Sequence, residues 1–153
     1  MTEEQATKLR ERLDPLVGQR AWGVSVGHGS FLTFEFGPVA PQRFGGKKQH
    51  GEWHLWLYMT GWRVDVSSNV IASSDDDRAQ MERGAATLDG RTVTAVEVSA
   101  PRGDLTLQLG DATVRTFVVE SDAEQWLLYT PTGTVLEVGA DANWTEEPGS
   151  SAG

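Results

Sequence analysis

The sequence predicts a mainly β protein with a minor α part: an antiparallel β-roll or split barrel built from two similar repeats, with a short N-terminal helix and a short crossover helix. Three observations predict it. Eight or nine short segments alternate apolar and polar residues with period two, separated by closely spaced turn residues. Only two segments, both short, carry helical spacing or helix-start signals. Residues 16–61 also return weakly as residues 88–130. Leu16, Gly18, Val24 and Val26 recur 72 positions later as Leu88, Gly90, Val96 and Val98, and Leu32, Thr33 and Gly37 recur 73 later as Leu105, Thr106 and Gly110. Trp56, Leu57 and Thr60 recur 70 later as Trp126, Leu127 and Thr130, and the drifting offset assigns length differences to loops.

Thr2 and Gln5 form a capping-box pattern with Glu3 and Glu4 at the positive end of a helix dipole, and Leu9, Leu13 and Leu16 repeat at helical spacing. A helix over residues 3–14 follows, ended by Pro15 and Gly18. Trp22, Val24 and Val26, a turn at residues 27–30, and Leu32, Phe34 and Phe36 read as a hairpin. Two prolines and three glycines make residues 38–51 a loop, before strands at 53–59 and 62–66 and a short one at 69–72. Ser73 to Asp77 supply helix N-caps, with Gly84 as the expected C-cap of a two-turn helix. The second repeat offers strands at 92–98, 105–109, 113–119, 125–130 and 135–138. One domain over 1–139 results, with repeats at about 16–72 and 88–139, a crossover at 73–87, and a tail at 140–153 read as disordered.

At 153 residues the chain can bury a core, and without cysteine it has neither disulfides nor thiolate chemistry. No apolar run approaches the roughly 20 residues that span a bilayer as a helix, and the acidic start differs from a secretory leader, so a cytoplasmic protein is expected. Charge is uneven. Residues 1–72 carry eight Lys/Arg against seven Asp/Glu, whereas residues 73–153 carry five against fifteen. That acidity repels nucleic-acid phosphates and favours a basic protein partner.

Six segments in order resemble a family of small bacterial two-repeat β proteins of uncharacterised function. They are Leu32-Thr33-Phe34-Glu35-Phe36, Trp62-Arg63, Ser73-Ser74-Asp75-Asp76-Asp77, Leu88-Asp89-Gly90-Arg91-Thr92-Val93, Gly103-Asp104-Leu105-Thr106-Leu107 and Gln125-Trp126-Leu127. The resemblance spans about residues 16–138. Because some such proteins carry immunity or antitoxin-like assignments, it implies a protein-binding role without implying site residues.

No catalytic constellation is legible: there is no nucleophile elbow, no phosphate-binding glycine pattern, and no reason to pair any two carboxylates. His50-Gly51-Glu52-Trp53-His54 lacks the zinc-protease order, and residues four apart in a strand stand about 13 Å apart, so no metal and no cofactor is expected. Asp75, Asp76 and Asp77 lack the alternation of a calcium loop and read as helix-start charges. The binding candidates are Trp53, Trp56, Trp62, Arg63 and Trp126, the acidic run Asp75, Asp76 and Asp77, and the basic loop residues Arg43, Lys47 and Lys48. The expected function is therefore a non-enzymatic, cytoplasmic protein-binding protein that uses its acidic half. The alternative is a small-ligand-binding β-barrel whose cavity is lined by Trp22, Trp56 and Trp126.

Overall fold

The first helix forms where its caps require. Thr2 accepts from the backbone of Gln5 while the Gln5 side chain accepts from Thr2, closing a capping box at the head of α1, Glu3–Leu13. Leu9 and Leu13 on one stripe are buried, and a 3-10 turn, Asp14–Leu16, ends the element at Pro15. The computed structural model describes residues 1–40, 48–120 and 122–149. Within these, α1 is followed by β1 (Ala21–Val26), β2 (Leu32–Ala40), β3 (His50–Leu57), β4 (Thr60–Val66) and β5 (Asn69–Ser73). Then come α2 (Arg78–Leu88), β6 (Ala95–Ser99), β7 (Asp104–Leu109), β8 (Ala112–Val118), β9 (Trp126–Tyr129), β10 (Thr134–Val138) and β11 (Trp144–Pro148).

The strands form two open antiparallel sheets, ordered β1-β2-β3-β9-β10-β11 and β5-β4-β8-β7-β6. Each half of the chain opens with a helix and a three-stranded meander; the hairpin β4-β5 of the first half then joins the meander of the second, and the three strands β9-β10-β11 of the second half join the meander of the first. At the junction Gly18 N–H donates to Val93 O (2.8 Å) and Gly90 N–H to Ala21 O (2.7 Å). Val93 N–H donates to Gln19 O (2.9 Å) and Ala21 N–H to Arg91 O (2.8 Å), around an Arg20–Thr92 bridge. Gly18 and Gly90 have φ of +94° and +86°, a region that favours glycine.

Period-two alternation decides which face meets the core. Leu32, Phe34 and Phe36 of β2 and Leu55 and Leu57 of β3 pack against Trp62, Val64, Leu105, Leu107 and Val114 from the second sheet. Full burial of each such side chain contributes about 1.5–3 kcal/mol. Trp62 and Trp126 are both fully buried, and each satisfies its indole N–H on the carbonyl of a residue in the turn before a meander's second strand: Ser30 O at 2.7 Å and Gly103 O at 3.1 Å. Trp126 thus resembles Trp62 in burial and in its indole partner. Trp56, matched to Trp126 by sequence spacing, pairs with Leu127 on the opposite face of the sheet, whereas Trp126 pairs with Leu57.

Other expectations require correction. Gly84 is not a C-cap. It lies buried inside α2, where a Cβ would come within 2.6 Å of Ala72 Cβ, so its missing side chain lets the helix press against β5. The N-cap is Asp77, whose carboxylate accepts from Gln80 N–H at 2.8 Å. The predicted loop is shorter at both ends, since β2 reaches Ala40 and β3 starts at His50. Residues 144–148, placed in a disordered tail, form edge strand β11 on β10. An Arg12–Glu146 ion pair and a Trp144 indole bond to Gln5 O (2.9 Å) tie it to α1. Among the described residues no helix is long and apolar enough to cross a membrane.

Candidate functional site

Strands β2 and β3 turn two kinds of surface away from the core. The alternation that buries Phe34 and Leu55 inwardly places Glu35 and His54 directly opposite one another on the outer face of the first sheet. There Glu35 is fully buried and His54 is 7% exposed, unlike an ordinary solvated outer position. His54 Nδ1 lies 2.8 Å from Glu35 Oε2, His50 Nδ1 lies 3.1 Å from the same oxygen, and Gly51 N–H donates to Oε1 at 2.9 Å. The imidazole centroids are 5.0 Å apart with their planes nearly perpendicular. This overturns the expectation that strand spacing keeps the two rings out of reach of one centre.

The cause is local. The β2–β3 register shifts between Phe36 and Val39, where β2 carries one residue more than β3, and His50 and His54 beside this bulge both reach Glu35. Gly51 permits this: a Cβ there would lie 2.6 Å from Phe36 O and 3.2 Å from Trp53 O. On the other side Glu35 pairs with Trp22 of β1, and Gly23 beside it, at φ +57°, leaves room for the Glu35 side chain. Burial pushes the Glu35 carboxyl upward in pKa. Hydrogen bonds from His54, Gly51 and His50, with the His54 charge, outweigh that and hold it below the ordinary glutamate value.

Farther along the same face lies a cluster of rings. Phe31 and Tyr58 stack tilted at 4.6 Å, Trp56 meets Tyr58 edge-on at 5.1 Å and Phe31 at 6.0 Å, and exposed His28 meets Phe31 at 5.9 Å. Phe31 and Tyr58 line one wall of an open cleft of about 410 Å³, whose other walls include Asp75, Glu120 and Val119. Val119 is 60% exposed and Phe117 next to it 41%.

Of the binding candidates, Trp53 and Trp62 are core, as is Trp126. Arg63 is exposed and grips Asp65, which Arg115 also grips, at 3.0 and 2.7 Å. Asp75 reaches the cleft, Asp76 accepts from Ser73 N–H at 2.9 Å, and Asp77 caps α2. Lys48 is exposed, while Arg43 and Lys47 lie outside the described residues. Trp22 donates to Gly37 O at 2.7 Å, and Trp56 and Trp126 occupy opposite faces, so these three do not line one cavity. Glu35 was not singled out in the sequence, nor were Phe31 and Tyr58. Gly51 between two histidines was the available signal for the first.

No protein family matches the chain, and neither a curated protein nor a solved structure resembles it significantly.

Proposed function

We propose that the protein is a non-enzymatic, protein-binding protein, with an immunity or antitoxin-like role, that receives a basic partner at the cleft between the ring cluster and the two acidic segments. One observation carries this reading. Asp75 from the segment before α2 and Glu120 from the segment after β8, remote in sequence, line the same cleft as Phe31, Tyr58 and exposed Val119. Aromatic anchors beside like-signed charge suit a partner segment that offers an apolar or aromatic side chain next to Lys or Arg. Cytoplasmic action belongs to the same proposal, as does descent of the two halves from one duplicated unit, supported by the helix and three-stranded meander with which each half opens.

The test begins with a partner captured from the cells that make the protein, followed by association kinetics. Exposed charges steer encounter and are screened within about 10 Å at 0.1 M salt. Asp75→Lys/Glu120→Lys is expected to slow association about tenfold at low salt, and Phe31→Ala to speed dissociation. Association that is indifferent to salt and to both variants would refute the proposal.

A further inference from the structure

We propose that Glu35, His50 and His54 form a binding site for one divalent transition-metal ion of the zinc type. The site is separate from the cleft and stands or falls independently of the protein-binding reading. Among the described residues these three offer ligand atoms that all lie within 4.8 Å of one another.

The metric argument is direct. Zinc binds imidazole nitrogen and carboxylate oxygen at about 2.0–2.2 Å, so neighbouring ligand atoms around a tetrahedral ion stand about 3.3–3.6 Å apart. Glu35 Oε2 lies 2.8 Å from His54 Nδ1 and 3.1 Å from His50 Nδ1. An ion seated among them replaces two hydrogen-bonded contacts, which widen by about 0.2–0.8 Å, each imidazole then carrying its proton on Nε2. Gly51 N–H, 2.9 Å from Oε1, remains in place to orient the carboxylate, the outer-shell support that bound carboxylates normally have.

Ligand chemistry selects the ion. Two imidazoles and one carboxylate suit zinc, iron, nickel and cobalt, whereas calcium and magnesium prefer all-oxygen sets. Among the described residues no fourth His, Cys, Asp or Glu joins the group, so the remaining positions fall to water or another donor. Burial of Glu35 and His54 supplies the dry surroundings in which such bonds are strong.

The full chain, stripped with chelator, is titrated with zinc chloride by calorimetry and with cobalt chloride by visible absorption. One equivalent of zinc is expected, with a melting temperature raised by about 5–10 °C at free zinc a hundredfold above Kd and restored by EDTA. Cobalt should give ligand-field bands at the same stoichiometry, and calcium should produce no shift. Glu35→Gln is expected to weaken zinc binding about a hundredfold, and His50→Ala/His54→Ala to abolish it. His50→Ala, whose side chain is 14% exposed, carries the comparison if the more buried variants fail to fold. Uptake below a tenth of an equivalent by wild type, or unchanged binding in folded His50→Ala, would overturn the proposal.

Discussion

Replacing Gly51 with alanine tests whether the local geometry that assembles Glu35, His50 and His54 is also structural. The added Cβ would stand 2.6 Å from Phe36 O, 3.0 Å from Phe36 N and 3.2 Å from Trp53 O. All three are backbone atoms, so no side chain can swing aside and β2 must part from β3. Overpacking of this kind costs about 1–3 kcal/mol. The displaced strand also loses the 2.9 Å bond from Gly51 N–H to the buried Glu35 carboxylate, worth about 1.5–3 kcal/mol because its acceptor is charged. Together they predict a loss of about 2.5–6 kcal/mol, or about 5–24 °C in melting temperature for a chain of this size. Urea unfolding followed by tryptophan fluorescence measures it. Gly27→Ala is the control: its Cβ would meet only ordinary contacts at 3.8 and 3.9 Å, so it should be neutral or stabilise by up to about 1 kcal/mol. A Gly51→Ala protein within about 0.5 kcal/mol of wild type would refute the reasoning, since that is the scatter of surface substitutions.

In α2, Gly84→Ala gains about 1 kcal/mol of helix propensity but places its Cβ 2.6 Å from Ala72 Cβ, costing about 1–3 kcal/mol, so net destabilisation is expected. A gain in urea midpoint would show that α2 does not press on β5. Glu137→Gln tests a penalty: burial raises the Glu137 pKa, and Glu124 and Glu147 raise it further. Its folded-state pKa lies above the unfolded value, so the penalty acts at neutral pH and disappears as pH falls through the folded pKa. The variant should gain a few tenths of a kcal/mol at pH 7 and nothing below about pH 4; equal gains at both would assign the effect to packing. Arg12→Ala tests the opposite sign. The Arg12 bond lowers the Glu146 pKa against burial, helped by Thr134 and the Arg12 charge, so stabilisation is present above the unfolded pKa and lost as pH falls through the folded one. The variant should cost up to about 1 kcal/mol at pH 7 and progressively less as pH falls below the unfolded glutamate value of about 4.3, read from urea midpoints; a pH-independent cost would refute the ion pair.

Local signals carried most of the fold. The Thr2–Gln5 box, the Asp77 cap and the alternation of Leu32, Phe34 and Phe36 each place an element by chemistry within a few residues of itself. What escaped depends on contacts across the chain. Gly84 resembles a helix stop until Ala72 is known to lie against it, and Trp144 and Glu146 look unpatterned until Gln5 and Arg12 are seen to receive them. The histidines were visible as residues, but Glu35 joins them only through the register of β2 on β3, which sequence periodicity does not supply. Ideal strand rise then misled, because the register shift at Phe36–Val39 departs from it.

Comparing the strand pair β2–β3 of one sheet with β7–β8 of the other separates what serves the core from what is special to one sheet. Inward positions are apolar in both: Phe34, Phe36 and Leu55 in the first, and Leu107, Leu109 and Val114 in the second. Outward positions differ. Glu35 of β2 pairs with Trp22 and His54, whereas Gln108 of β7 pairs with Ala95 and Thr113. His54 in turn faces Tyr129, where Thr113 faces Asp65. Gln108 is exposed, whereas Glu35 is buried. A two-sheet core needs apolar inner faces in both sheets but makes no demand for a buried carboxylate on an outer face, where desolvation is a cost that must be offset by specific partners. That cost is met at Asp65 of β4 by the two guanidinium groups of Arg63 and Arg115, and at Glu35 by two histidines and a close-packed glycine, so the outer face of β2 and β3 differs in answering a buried carboxylate with imidazole instead of arginine.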